Sequence, residues 1–234
     1  MKPYRLLDTA PIPGGGELQL YEGGDRFSIR LSGCQGELMA SRAHASEDAL
    51  GERACQRIAH LIRPRVLIGG LGMGFTLAAA LRTLADRPDA EIVVAELVPG
   101  VVAWNQGPLG EVAGHPLRDP RVTVREVDVG VVLRESAGVW DAILLDVDNG
   151  PSGLTRASND GLYSAKGLSV CHRALHPEGV FSVWSAAPDA AFTARLGQAG
   201  FAVTEQKIHA HGKKGTTHVL WLSTPRTRRG SSAP

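Results

Sequence analysis

Apolar and polar positions along the chain keep two rhythms, and the change between them falls near Ser46. Before it, Glu17-Leu18-Gln19-Leu20-Tyr21 and Arg26-Phe27-Ser28-Ile29-Arg30-Leu31 alternate with the period of two that sets one strand face on a core. Gly23-Gly24-Asp25 between them is turn chemistry, and residues 37–40 suit a third short strand, so a small antiparallel N-terminal sheet is predicted. Residues 1–16, with Pro11, Pro13 and Gly14-Gly15-Gly16, read as an irregular arm. From Ser46 the period lengthens: Leu50, Ala54, Ile58, Leu61 and Ile62 share one helical face, and Pro64 closes that helix.

A strand–helix alternation follows. Strands are predicted over 65–69, 91–97, 121–127, 141–147, 180–185, 201–208 and 218–223. Helices are predicted over 75–84, 100–106, 131–136, 160–175 and 189–199. Apolar strands such as Ala142-Ile143-Leu144-Leu145 are buried on both faces, which implies parallel pairing with helices on both sides. The expected architecture is α/β: a Rossmann-like, mostly parallel sheet with an antiparallel edge hairpin and a small N-terminal β-domain. The expected divisions are an arm and small sheet over 1–45, a nucleoside-binding catalytic domain over 46–224, and a frayed tail over 225–234.

At 234 residues with 43% hydrophobic and 21% charged residues, the chain has the balance of a globular protein able to bury its own core. A formal net charge of +1 gives no global field for nucleic acid or an anionic membrane. Three scattered cysteines, Cys34, Cys55 and Cys171, argue against a disulfide framework. The start Met1-Lys2-Pro3-Tyr4-Arg5 lacks the apolar run of a signal peptide, and no stretch has the length of a membrane span, so a cytoplasmic protein is expected. His209-x-His211 has no acidic or cysteine neighbour to complete a metal set, so no metal is expected.

Chemistry concentrates where strands end. Val66-Leu67-Ile68 runs into Gly69-Gly70-Leu71-Gly72-Met73-Gly74 and then a helix. Such a turn brings backbone close to a ligand and presents free helix N–H groups. The second strand ends in Glu96-Leu97, where a carboxylate about 20 residues past the glycines accepts from a ribose diol. The third ends in Asp128-Val129, where a carboxylate can meet an adenine amino group or simply cap a helix. No glycine follows two residues beyond Gly74, which favours a single nucleoside with an amino-acid tail over a dinucleotide. The fourth strand ends in Asp146-Val147-Asp148-Asn149-Gly150-Pro151. Asp146, Asp148 and Asn149 form an acceptor-rich patch suited to orienting an amine and taking its proton, or to turn chemistry. Tyr163 is a further candidate for the cleft, with a core aromatic as the alternative. The join holding Arg42, His44 and Glu47 is placed to overhang it.

A small N-terminal β-domain, the glycine-rich loop, Glu96, Asp128 and the Asp146 loop with Gly150-Pro151 together resemble the spermidine synthase-like (polyamine aminopropyltransferase) group of the S-adenosylmethionine-dependent methyltransferase superfamily. The resemblance implies S-adenosylmethionine, or its decarboxylated form, as co-substrate. It also implies ribose binding by Glu96, adenine binding by Asp128 and a catalytic role for Asp146. Three departures stand out. Met73 takes the place of a loop aspartate that holds the donor's free amine in the group. A Tyr-His pair is missing around His44–Glu47, and the second acidic residue of the fourth-strand loop is displaced to Asp148-Asn149. Without a loop carboxylate, intact S-adenosylmethionine meets no like charge there.

The expected function is therefore alkyl transfer to a small amine, with N-methyl transfer ahead of aminopropyl transfer. Two other readings are an NAD-dependent oxidoreductase, which the glycine spacing disfavours, and a non-catalytic nucleoside-binding module. The expected partners are a small amine substrate and a second copy of the chain joined through the N-terminal sheet, with no nucleic acid or membrane.

Overall fold

The computed structural model describes residues 3–34, 36–147, 150–151, 160–211 and 214–226. The predicted N-terminal sheet is present and has four strands rather than three: β1 (Arg5–Pro11), β2 (Glu17–Glu22), β3 (Phe27–Leu31) and β4 (Met39–Ala40), antiparallel in that order. Leu18, Leu20 and Ile29 point from it into the core, as the alternation predicts. The expected irregular arm is corrected here, because β1 pairs with β2 from Arg5↔Glu22 to Pro11↔Glu17. The prolines and glycines that suggested irregularity belong to the connecting turn, where Ile12 N–H donates to the Gly16 carbonyl and Gly14, Gly15 and Gly16 all have positive φ.

The second sheet is built from β5 (Arg65–Gly69), β6 (Glu91–Glu96), β7 (Val122–Glu126), β8 (Trp140–Leu145), β9 (Leu175–Ser185), β10 (Phe201–His211) and β11 (Lys214–Pro225). Its order is β10-β11-β9-β8-β5-β6-β7. The β5, β6, β7, β8 and β9 pairings are parallel, whereas β11 joins β9 and β10 antiparallel, giving the expected edge hairpin. The helices are α1 (Ala45–Ile58), α2 (Phe75–Thr83), α3 (Pro99–Gln106), α4 (Val129–Glu135), α5 (Asp160–Tyr163), α6 (Ala165–Ala174) and α7 (Ala190–Gln198).

Two predicted helices are corrected. The helix read through Leu61 and Ile62 stops at Ile58, and Ile62 is 79% exposed. The helix read over 160–175 is broken at Ser164, whose backbone is extended and whose Oγ caps the next helix by accepting from Gly167 N–H at 3.1 Å. Its last residue, Leu175, begins β9 instead.

One core cluster joins the sheets: Leu20 and Ile29 pack with Leu50, Ile68 and Leu77. The strand order reverses around β5, with β6 on one side and β8 on the other, which opens a crevice beyond the carboxyl ends of these strands. The N-terminal sheet covers that crevice.

Candidate functional site

Two cavities share the crevice. The first, of 270 Å³, lies under the N-terminal sheet, with Ile12, Gly16 and Leu38 on that side and Gly70, Glu96 and Asp128 on the other. Leu97, Val129, Gly72 and Asp146 also line it. The second, of 290 Å³, is bounded by Glu37, Glu47, Met73, Trp184 and His218, and again by Gly72 and Asp146. Gly72 and Asp146 thus stand on the wall common to both.

The glycine loop owes its course to two close approaches. Gly70 has φ 89°, and a Cβ there would run into the Asp146 carbonyl. Gly72 has φ 52°, and a Cβ there would stand 3.0 Å from Met39 Sδ. Both facts require glycine. Gly69 ends β5 and packs beneath Val129 and Leu145, while Gly74 is the left-handed residue before α2. Met73 is buried and faces only the second cavity, so Gly72, not Met73, is the loop residue at the junction. Asn105, which the sequence analysis did not single out, ties the loop down: its Nδ2 donates to the Gly72 carbonyl at 2.8 Å and to the Val101 carbonyl at 2.9 Å. Its signal is a carboxamide closing the apolar run Val101-Val102-Ala103-Trp104.

Glu96 is 7% exposed. Its Oε2 accepts from Leu71 N–H and its Oε1 from Val98 N–H, both at 2.8 Å. Burial raises its pKa, against the pull of these backbone donors. Backbone groups of Leu97 and Gly72 also favour its ionised form, and the carboxylate lines the first cavity beside them. Asp128 lines the same cavity while its Oδ1 accepts from Gly130 N–H at 2.7 Å, so the capping role and the cavity position coexist.

Asp146 follows β8, and its Oδ2 accepts from Thr76 Oγ1 at 2.7 Å. Desolvation pushes its pKa up to about 6 despite that bond. Across the second cavity, Glu47 is pushed up to about 7, first by burial and then by the charge of Asp146, with Ser46 opposing. Ser46 Oγ donates to Glu47 Oε2 at 2.5 Å and lies 2.7 Å from His218 Nδ1. His218 stacks edge-on against Trp184, and burial lowers its pKa. Glu47 had been placed only at an overhanging join; its partnership with Asp146 arises because α1 packs against β8, whose end carries Asp146, and so brings residues far apart in sequence onto one wall.

Tyr163 is 2% exposed, packs edge-on against Phe192, and is not among the residues lining the two cavities. Its hydroxyl is 3.4 Å from the Val147 carbonyl. Asp148 and Asn149 lie outside the described residues. His44 stacks on Phe75 at 4.1 Å and bonds Asp48 at 2.6 Å.

The order β10-β11-β9-β8-β5-β6-β7, with antiparallel β11 inserted between β9 and β10, is that of the class I methyltransferase fold. No family model matches the chain. Polyamine aminopropyltransferase 1 of Streptomyces coelicolor is 32% identical over 177 residues, covering 72% of this chain and 31% of the relative. The chain thus spans about a third of that relative's length. Among solved structures, spermidine synthase from Thermotoga maritima superposes with a TM-score of 0.71 at 16% identity, covering 94% of this chain and 72% of that one. A spermidine synthase in complex with the transition-state analogue AdoDATO gives 0.70 at 15% identity, with the same coverage. Human methyltransferase-like protein 13 in complex with SAH gives 0.55 at 17%, covering 80% of this chain and 83% of that one. The chain is thus similar to an aminopropyltransferase over part of that relative's length, and it shares with the spermidine synthase structures a fold in which a class I methyltransferase-type sheet carries a small N-terminal β-sheet.

Proposed function

We propose that this protein is a transferase moving an aminopropyl group from decarboxylated S-adenosylmethionine to an amine. The observation that carries this reading is the position of Asp146 on the wall between two cavities. One is walled by Glu96 and the loop backbone and suits an adenosine. The other has Glu37, Glu47, Asp146 and His218 and, among the described residues, no lysine or arginine in its lining, which suits a cationic amine. The relative from Streptomyces coelicolor is named for aminopropyl transfer, which favours this chemistry over methyl transfer.

In the reaction, the amine lone pair attacks a carbon on the sulfonium in line with the C–S bond. That bond's electron pair stays on sulfur, leaving neutral methylthioadenosine, and the new ammonium loses a proton to the carboxylate wall. The protein holds the two reactants in line and accepts the proton. No metal enters this scheme. Methyl transfer is the second reading, favoured by one observation: the loop from Gly69 to Gly74 has no carboxylate to repel that of intact S-adenosylmethionine.

The test is incubation with 1,4-diaminobutane and each donor in turn. Methylthioadenosine from the decarboxylated donor supports aminopropyl transfer; S-adenosylhomocysteine from the intact donor supports the second reading. Asp146→Asn should lower turnover by about 10²-fold or more while donor binding persists. An unaltered D146N protein would instead mark a non-catalytic nucleoside-binding module. Within the same proposal, a second copy pairs through the N-terminal sheet, whose outer strand β1 shows Leu6 to solvent, and sedimentation would reveal a dimer.

A further inference from the structure

Ser46 is fully buried, yet its hydroxyl touches two titratable side chains at once. Glu47 comes from the same turn of α1, whereas His218 comes from β11, 172 residues away in sequence. Both line the second cavity beside Asp146. A serine has one proton to donate, so the direction of this chain is fixed by the state of its ends. With Glu47 ionised, Ser46 donates to it and His218 must donate from Nδ1. With Glu47 protonated, the order can reverse: carboxyl to Ser46, Ser46 to Nδ1, and the ring proton on Nε2.

We propose that Glu47, Ser46 and His218 form a proton relay that carries the acceptor's proton out of the cavity. This rests on the transfer reaction above. The new ammonium gives its proton to the Glu47 carboxylate. Protonated Glu47 favours the Nε2–H form of the ring, so His218 first exchanges its Nδ1 proton for one on Nε2 through solvent; Glu47 then passes a proton to Ser46 Oγ as Ser46 passes its own to the freed Nδ1. The imidazolium releases its Nε2 proton to solvent, which leaves Glu47 ionised and the ring neutral. His218 is partly exposed, so the last step has an exit. Glu47 and His218 thereby act as the two ends of one device, with Ser46 as the positioning residue between them.

The titratable groups that face these two, or press on groups that do, are Glu37 before β4, His44 and Asp48 around the start of α1, and Asp146 after β8. On β10, Ile208 is the register partner of His218, and His209 turns to Thr217 instead. Among the described residues, Asp146 and Asp48 are the neighbours whose charge raises Glu47. Burial holds His218 neutral where Glu47 titrates, so a tautomer change there is visible apart from ring protonation.

The experiment is two-bond ¹H–¹⁵N correlation on the resting protein with labelled histidine, H218F serving to assign the signal. His218 should pass from the Nε2–H to the Nδ1–H form as pH rises through about 7, and S46A should abolish the change. A pH-independent tautomer, or one that switches unaltered in S46A, overturns the relay. This arm needs no donor or turnover, so it is decided whether or not the transfer reaction is correct. In the active protein, S46A and H218F should each lower kcat about tenfold with the amine KM unmoved, the low end of acid–base effects because Asp146 remains. Unchanged kcat in both variants overturns the transport role, and absence of turnover in the wild type overturns the reaction alone.

Discussion

Asp146 and Glu47 are two carboxyls on the lining of the second cavity, both pushed up by burial, and the charge of Asp146 makes Glu47 harder still to ionise. That has a consequence for stability. Glu47 titrates near 4.5 when solvated and at about 7 in the fold, so between these values the native state binds more protons than the unfolded one. Stability must then fall as pH rises through this window, since it rises with pH only where the unfolded state holds more protons. The expected loss between pH 5 and pH 8 is on the order of 2 kcal/mol, measured by urea unfolding at the two pH values. Glu47→Gln should reduce that dependence to the smaller part that the raised Asp146 carboxyl contributes. Glu96 behaves differently, because it holds two backbone N–H groups as well as facing the cavity. Glu96→Gln turns an amide N–H₂ toward one of those donors. It should cost about 1–3 kcal/mol in unfolding and weaken methylthioadenosine binding at least tenfold by calorimetry. Glu96 was legible in sequence because a strand end fixes its position locally. The role of Glu47 was not, because it depends on the charge of Asp146, delivered by the end of β8, and on His218, delivered by β11.

At the scale of elements, the site is a loop pressed between strands. Gly70 turns with positive φ directly over the Asp146 carbonyl, so the first and fourth strand ends cannot be changed independently. Gly70→Ala would strain φ and push the two ends apart. About 1–3 kcal/mol of stability should be lost, and donor binding with it, read together by thermal melting with and without methylthioadenosine. The strand–helix alternation was readable because buried parallel strands are short apolar runs that periodicity can find. β1 was not, because it is an edge strand whose burial does not alternate and whose neighbouring prolines and glycines dominate the local pattern. The break at Ser164 was hidden for a related reason: apolar residues such as Leu162, Ala165 and Leu168 continue on either side, and only the cap geometry divides them. Ala10 meets Gly100 of α3, and Asp8 accepts from Trp104 Nε1 at 2.8 Å, so the overlooked strand is fastened to the helix that follows Glu96.

For the whole molecule, this fastening makes the first cavity, where the proposed donor would sit, a joint between two sheets. Ile12, Gly15 and Gly16 approach it from the N-terminal turn, and Glu96 and Asp128 from the parallel sheet. A nucleoside bound there touches both, so its binding energy must appear as resistance to separating them. At a free concentration 100 times Kd, a ligand specific for the native state adds about 2.7 kcal/mol, or roughly 5–10 °C in Tm for a chain of this length. Hydrogen exchange with methylthioadenosine bound should then slow in two places that lie far apart in sequence, residues 12–16 and residues 69–74, by similar factors. Protection confined to residues 69–98 would mean that the small sheet covers the site without closing on the donor, and the cavity would then belong to the parallel sheet alone.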